Sequence, residues 1–512
     1  MVLLCLVNLL LYHWPLYRFA IANFDRFDLN SALTLATLSV VIFVVTLWVL
    51  SLLLLISQRL LKPIGIVMFI GNAVALYFVQ TYQIVLDKTM IGNVMNTRYS
   101  EASSFFHPML FVYVLVFGLL PSGLLLLKRY RHTTRLRLVM VMCLSLVLGG
   151  GWVYGNADTW LWIDKYAKKL GGMVMPWSFV INTIRYQTEH HASIEEQIPL
   201  PPAQIDSDTR TVVVLVIGES ARAANFSLYG YDRPTNPMLR EDAAVAMLNT
   251  HSCSTYTTAS VSCILSHDNA NTLFSEQYEP LPSYLQRFGV DVIWRTRNWG
   301  QPPLKIATYE EGSAIKDRCE GQPGCEGDEV LLSGLAERIR SSAEKKVFVV
   351  LHQKGSHGPN YYTRYPQRFE VFKPVCKTVE LNQCSPEELI NAYDNTIVYT
   401  DYVLHRLIDI LKHLDGIPAV MMYISDHGES LGEHGLYLHG TPYAIAPDVQ
   451  KQVPFIVWMS EGFAQAKGLS NTLLEKQTSH SQDNIFHSVL GALDVKSSVY
   501  NRNLDIFKSP DQ

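Results

Sequence analysis

The stretch "RTVVVLVIGES", residues 210–220, runs from Val212 to Ile217 without a polar side chain, then stops at Gly218 and a carboxylate, Glu219. A strand with one face in water alternates apolar and polar residues. A strand buried on both faces, as in a parallel sheet, does not. This run is of the second kind. "GVDVIWRT" (289–296), "KKVFVVLHQKGSHG" (345–358), "IPAVMMYISDHGES" (417–430) and "QVPFIVWM" (452–459) behave alike. Between them lie segments with apolar residues at helical spacing, clearest in 389–414, "LINAYDNTIVYTDYVLHRLIDILKHL". Strands alternating with helices predict an α/β/α sandwich over residues 206–512.

Three of these runs end in groups that carry chemistry: Glu219, His357 and the pair Asp426–His427. In open α/β sheets, ligands bind beyond the carboxyl ends of the strands. Residues far apart in sequence are therefore expected at one edge. Two carboxylates and an imidazole (Glu219, Asp426, His427) suit a borderline cation such as Zn²⁺, and a fourth ligand is needed. The segment "HSCSTYTTASVSCILSHD", residues 251–268, offers one, with seven hydroxyl side chains between Cys253 and Cys263. A metal-bound hydroxyl loses its proton readily, so one of these alcohols is a candidate nucleophile. Taken singly, each acid reads more readily as a cap or turn residue than as a ligand, and the hydroxyl cluster as a polar loop. Their expected convergence is what argues for a site.

The first third of the chain is of another kind. Residues 31–57, 63–86, 102–127 and 138–157 carry no Asp, Glu, Lys or Arg. About 20 mostly apolar residues suffice for a helix to cross a bilayer. Residues 1–17 are also uncharged but contain His13 and Pro15, giving a shorter fifth candidate. A cleaved signal peptide would want a basic start and a small-residue cleavage site, and neither is present. Arg59 and Lys62 lie in one link, and Lys128, Arg129, Arg131, Arg135 and Arg137 in another. The positive-inside rule puts both in the cytoplasm and everything after about residue 157 on the far side of the membrane. Five spans over 1–157 are expected. A Pro-rich linker with interfacial helices follows over 158–205, ending "EEQIPLPPAQIDSD".

The net charge of −4 over 512 residues gives no footprint for nucleic acid. Six of the eight cysteines fall in the outer part as neighbours: Cys253 and Cys263, Cys319 and Cys325, Cys376 and Cys384. Six cysteines allow 15 pairings, of which close spacing favours the neighbours. Such pairs persist in an oxidising compartment.

"VLVIGESARAANFSLYGYDRPTNPML", "SVSCILS", "GSHGPNYYTRYP", "NAYDNTIVYTDY" and "YISDHGESLGEHGLYLHGTPYAIAPD" closely resemble the lipid A phosphoethanolamine transferases, in the alkaline phosphatase/sulfatase superfamily. The resemblance covers nearly the whole chain. It implies an enzyme of the bacterial inner membrane with a periplasmic catalytic domain, and a monomer. It assigns the nucleophile to Thr257, with Thr255 and Thr258 as the neighbours most easily confused with it. It assigns one tightly held Zn²⁺ to Glu219, Thr257, Asp426 and His427, leaves room for a second during catalysis, and sets His357 and His439 near the phosphoryl group. Asn93, Thr97 and Glu101, in "NVMNTRYSE", match a segment implicated in substrate binding. Their spacing puts them on one helix face, which a solvated face would equally explain.

The implied reaction takes phosphoethanolamine from phosphatidylethanolamine to a phosphate of lipid A, or of the nearby lipopolysaccharide core. It passes through phosphothreonine and confers resistance to cationic peptides such as polymyxin. The chain departs from the family pattern twice. Pro302 stands where many members have a lysine, with Lys305 displaced, and His434 replaces a common Asn. Three rivals remain at this stage. A membrane-anchored phosphodiesterase or sulfatase-like hydrolase could use the same metal site with water as acceptor, although the C/S-x-P-x-R context of sulfatases is missing. A phosphoglycerol transferase would share the topology and the threonine. An envelope sensor without catalysis would be expected to have lost one of the four site residues, and all four are present.

Overall fold

The computed structural model describes all residues except 25, 97–104, 129–132, 194–196, 206, 274–277, 320, 322–323, 472–473, 475–478 and 509–512. The chain divides into two compact units, Met1–Glu189 and His190–Gln512.

The first unit is helical. α1 (Val2–Tyr12) and α2 (Trp14–Ala22) form a pair bent by 51°. α3 (Leu29–Ile56), α4 (Gln58–Tyr82), α5 (Lys88–Asn96), α6 (Pro108–Leu127), α7 (Arg135–Gly155) and α8 (Trp177–Ser193) follow. Of these, α3, α4, α6 and α7 are each long and apolar enough to cross a membrane, and the bent pair makes five if it counts as one span. Pro15 stands in the first turn of α2, where its missing N–H is no loss. Lipid gives apolar helices no hydrophobic reason to associate, so polar contacts and close packing must hold them together. Here Asn72 Nδ2 donates to Asn8 Oδ1 (2.7 Å) and Asn8 Nδ2 to Met175 O (3.0 Å), both pairs buried. Lys62 Nζ donates to Leu126 O (2.7 Å), placing a cation on the C-terminal carbonyls of α6. Leu127, Leu144 and Val147 stand exposed on α6 and α7, as a lipid-facing surface requires. Ile163, Leu170, Met173 and Met175 pack into the core of this helical unit.

The second unit is built on a seven-stranded sheet. β1 (Thr211–Gly218) lies at its centre, with β2 (Val245–Met247), β3 (Asp291–Thr296), β4 (Thr308–Glu311), β5 (Lys346–His352), β6 (Ala419–Ser425) and β7 (Phe455–Met459) in the order β2-β7-β6-β1-β5-β3-β4. β1 runs parallel to both β5 and β6, and β3 parallel to β5 and β4. β7 is antiparallel to its neighbours β6 and β2. Every residue of β1, β5 and β6 is buried, which is why these runs do not alternate. α9 (Thr257–Ile264) and α10 (Pro386–Lys412) are the helices that matter most for the site. α10 starts at a capping box, Ser385 with Glu388, and buries an apolar stripe from Leu389 to Leu411. Cys253 is bonded to Cys263, Cys319 to Cys325 and Cys376 to Cys384.

Candidate active site

β1, β5 and β6 are parallel neighbours, so their carboxyl ends share one edge of the sheet. Glu219 follows β1, Asp426 and His427 follow β6, and His357 follows β5 by five residues. All four are buried. Ser220, next to Glu219, takes a left-handed conformation (φ 55°), uncommon for a side chain with a Cβ and of the kind that functional sites retain. The turn after β5 presses on the same point. Ser356 N donates to Glu219 O (2.9 Å), and at Gly355 (φ 51°) a Cβ would come within 2.9 Å of the Glu219 backbone N. Glycine there permits both the conformation and the approach.

Thr257 is the first residue of α9, on the loop that the Cys253–Cys263 bond closes. Gln482, fully buried, ties this loop to the end of β6. Its Oε1 accepts from Cys253 N (2.9 Å), and its Nε2 donates to Ser425 O (3.0 Å) and Asp426 O (2.6 Å). Thr255 is spoken for elsewhere, since its Oγ1 donates to Thr441 O (2.7 Å). Thr257 Oγ1 instead donates to Glu219 Oε2 (3.1 Å), an oxygen that also accepts from Asn298 Nδ2 (2.6 Å).

Three oxygens surround His427 Nε2: Glu219 Oε1 at 3.3 Å, Asp426 Oδ2 at 3.4 Å and Thr257 Oγ1 at 3.4 Å. Zinc bonds of about 2.0–2.1 Å in a tetrahedron set ligand atoms about 3.3–3.4 Å apart, so the spacing fits. Asp426 Oδ1 accepts from Ser220 N (3.1 Å) and His427 N (2.7 Å), whereas its Oδ2 is buried without a hydrogen bond among the described residues. A bound cation would satisfy a buried carboxylate oxygen in that state. The donors of Glu219, His427 and His439 also lie within 4.8 Å of one another, so His439 adjoins the same cluster.

The electrostatics point the same way. Burial and then the Glu219 charge push Asp426 well above the usual carboxylate range. Burial opposes ionisation of Glu219 too, but the hydrogen bond and charge of His427 hold it well below that range. Burial disfavours a charged His427, yet Asp426 and Glu219 push it up to about 10. The cluster thus draws in positive charge, which a divalent cation would supply more fully than one imidazolium. His439 is lowered by burial and by the His427 charge, so it is neutral at neutral pH.

All three histidines are fixed through Nδ1. His427 donates from it to Gly428 O (2.8 Å), His357 to Gly358 O (2.6 Å) and His439 to Glu429 Oε2 (2.9 Å). This leaves Nε2 of each as the nitrogen that can take a metal or a proton. Glu429 is itself held by Tyr361 OH (2.8 Å). The His439 ring lies 4.2 Å from that of His427 and 5.6 Å from that of His357.

The structure thus brings together Glu219, Thr257, His357, Asp426, His427 and His439. Asn93 falls in α5, while Thr97 and Glu101 lie outside the described residues. Asn298, Ser220, Gln482 and Glu429 escaped the sequence reading. Ser220, Asn298 and Glu429 left a signal, as polar residues just past a strand end, and Gln482 left none. Lys305 is exposed, its amide held by Ser283 Oγ (2.8 Å). The lysine near this cluster is Lys354, whose Nζ is 3.5 Å from Asn298 Oδ1. His434 is exposed at a left-handed turn (φ 53°), a conformation that Asn adopts more readily than His does.

Residues 211–495 match the sulfatase family and residues 21–191 match the phosphoethanolamine transferase EptA/EptB family. The chain is 38% identical over 509 residues to phosphoethanolamine transferase EptA of Helicobacter pylori, covering 97% of this chain and 94% of that one. The integral membrane lipooligosaccharide phosphoethanolamine transferase A of Neisseria meningitidis superposes with a TM-score of 0.90 at 28% identity, over 99% of this chain and 97% of that one. The periplasmic domain of EptC from Campylobacter jejuni, at 38% identity and a TM-score of 0.55, covers 62% of this chain and 98% of that domain. The helical unit is therefore a membrane domain and the sheet-bearing unit is periplasmic. With similarity running through both units, the chain belongs to the EptA family of phosphoethanolamine transferases.

Proposed function

We propose that the chain transfers phosphoethanolamine from phosphatidylethanolamine to a phosphate of lipid A or its neighbouring core, through a phosphoryl group carried on Thr257. The observation that carries this reading is the set of three oxygens, one of them Thr257 Oγ1, spaced 3.3–3.4 Å from His427 Nε2. Glu219, Asp426, His427 and Thr257 would hold a zinc ion, with His439 adjacent. Bound there, zinc lowers the hydroxyl pKa and screens phosphoryl charge.

The remaining steps fall to the chain itself. The Oγ1 proton points at Glu219 Oε2, which Asn298 holds in place. Oγ1 forms a bond to phosphorus as the bond from phosphorus to the diacylglycerol oxygen breaks. In sum, the proton lost by Oγ1 is gained by that oxygen, and Nε2 of His357 or His439 would carry it. Thr257 opens α9, so a phosphoester on it would lie by a helix N-terminus, which favours its charge. Splitting one displacement into two is the advantage of covalent catalysis. The lipooligosaccharide acceptor of the Neisseria relative supports a lipid-anchored sugar phosphate as acceptor here.

Mass spectrometry of lipopolysaccharide from a polymyxin-sensitive host tests this. Expression is expected to add phosphoethanolamine to a lipid A or core phosphate and to raise polymyxin resistance. Unmodified lipopolysaccharide in a strain shown to contain folded protein would rule the reading out.

A further inference from the structure

A cavity of about 220 Å³ is lined by Arg297, Glu326, Lys354, Thr363, Arg364 and Tyr365, and Lys354 reaches from it toward Asn298, which holds Glu219. Sites that enclose a whole small molecule run to roughly 300–1,000 Å³, so this one suits a headgroup. The lining carries three cationic side chains and one carboxylate, Glu326, and stays net positive after Arg297 is paired with Asp328.

Each cation is held by the elements that build the active site. Arg297 follows β3 and pairs with Asp328 (2.9 Å). Asp328 also accepts from the backbone N of Lys354 (3.0 Å) and Gly355 (2.8 Å), so it fixes the turn that carries Lys354. Arg364 Nε donates to His357 O (2.7 Å), and its Nη2 to Asn360 Oδ1 (2.6 Å). Lys354 Nζ lies 3.5 Å from Asn298 Oδ1, and Asn298 Nδ2 donates to the Glu219 oxygen that faces Thr257 Oγ1. The Asn298 amide and the Glu219 carboxylate therefore connect Lys354 with Thr257.

We propose that this cavity is the acceptor subsite, where Arg297, Lys354 and Arg364 seat a phosphomonoester for the second half-reaction. The inference rests on the phosphothreonine reading above and extends it. The charges of the two substrates decide between them. The donor has one phosphate, which must sit at Thr257; its ethanolamine is cationic and its diacylglycerol neutral, so nothing else in it suits a positive cavity. The acceptor brings a second anion up to an already anionic phosphoester, and that approach needs separate compensation. Arginine and lysine together give phosphate both forked hydrogen bonds and a point charge.

The step balances. The acceptor enters as a monoanion, and one of its phosphate oxygens forms a bond to the phosphorus on Thr257. The bond from phosphorus to Oγ1 breaks, its electron pair stays on Oγ1, and the proton of the acceptor phosphate ends there. The products are a diphosphate diester and a free Thr257 hydroxyl.

The test uses the full zinc-loaded chain in lipid–detergent micelles. Diacylglycerol release from fluorescent phosphatidylethanolamine without acceptor reads the first half-reaction, and transfer to monophosphoryl lipid A reads the second. Lys354→Gln is expected to raise the acceptor KM about tenfold or more, the usual effect of losing one charged hydrogen bond. It should keep a stoichiometric burst of diacylglycerol, and Lys354→Arg should restore KM. Inorganic phosphate should compete with the acceptor and not with phosphatidylethanolamine, and should inhibit the Gln variant less. An unchanged acceptor KM with a full burst overturns the proposal. So does an equal loss in both half-reactions, or competition of phosphate with the donor alone. Wild-type protein that transfers phosphoethanolamine without any burst would overturn the phosphothreonine reading instead, and the subsite with it.

Discussion

At the scale of single residues, the site turns on which threonine is the nucleophile. Three candidates stand within four positions. Thr255 Oγ1 is committed to Thr441 O, while Thr257 Oγ1 lies 3.1 Å from Glu219 Oε2 and 3.4 Å from His427 Nε2. Thr257→Ala is therefore expected to abolish transfer and leave the fold intact, because it removes the hydroxyl that lies against both Glu219 Oε2 and His427 Nε2. Thr255→Ala loses one buried hydrogen bond, about 1 kcal/mol of stability, and keeps measurable turnover. Mass spectrometry of protein quenched with donor alone would locate the adduct, and an adduct on Thr258 would refute the assignment. Removing a metal ligand should act differently. Glu219→Gln is expected to lose zinc measured by elemental analysis, together with activity by orders of magnitude. His357→Ala should retain the metal and turn over slowly. Full zinc and full activity in Glu219→Gln would dismiss the cluster as a metal site.

At the scale of elements, much of the framework was legible because burial writes itself into sequence. β1, β5 and β6 lack alternation since both faces are covered, and each announced itself as an unbroken apolar run. The edge strands β2 and β4 are short and half-covered, and nothing in their composition marks them. The same holds within the site. Glu219, Asp426 and His427 could be placed because each directly follows a buried strand. Gln482 could not, because its role depends on a contact with Cys253, 229 residues away. That one amide joins the nucleophile loop to the end of β6. Gln482→Glu keeps the acceptor for Cys253 N but loses the two donations to Ser425 O and Asp426 O, leaving buried carbonyls unpaired beside a new charge. A loss of about 1–3 kcal/mol or more in stability is expected, with a fall in kcat larger than any change in donor KM. Thermal melts and donor kinetics on the same preparation would check it. An unchanged kcat would mean that the Cys253–Cys263 bond alone suffices to place Thr257.

At the scale of the whole molecule, the chain combines a soluble-type catalytic fold with membrane spans, which the proposed reaction would explain, since both of its substrates are lipids. Attachment to membrane spans replaces a search through solution by one within a thin layer, raising effective concentration without any new contact. The segment leading into the catalytic unit belongs to it structurally. Leu200 is 2% exposed in its core, Leu200 N donates to Glu279 Oε1 (2.7 Å), and Glu279 N donates to Ile198 O (3.0 Å). The Pro-rich composition of 197–205 reads as a spacer in sequence, because a residue that packs on a distant strand edge leaves no local pattern. We therefore place the start of an independently stable catalytic unit at Gln197. A chain of residues 197–512 is expected to fold, bind zinc and release diacylglycerol from a short-chain, water-soluble phosphatidylethanolamine. It should fail to modify lipopolysaccharide when exported to the periplasm. Starting instead at residue 204 removes Leu200, whose burial contributes about 1.5–3 kcal/mol, and takes the Leu200 N donor from Glu279, which keeps Arg287, so that chain should melt markedly lower. Polymyxin resistance conferred by the exported 197–512 chain would show that the membrane domain is dispensable, and that the advantage of the tether is not what keeps the two units on one polypeptide.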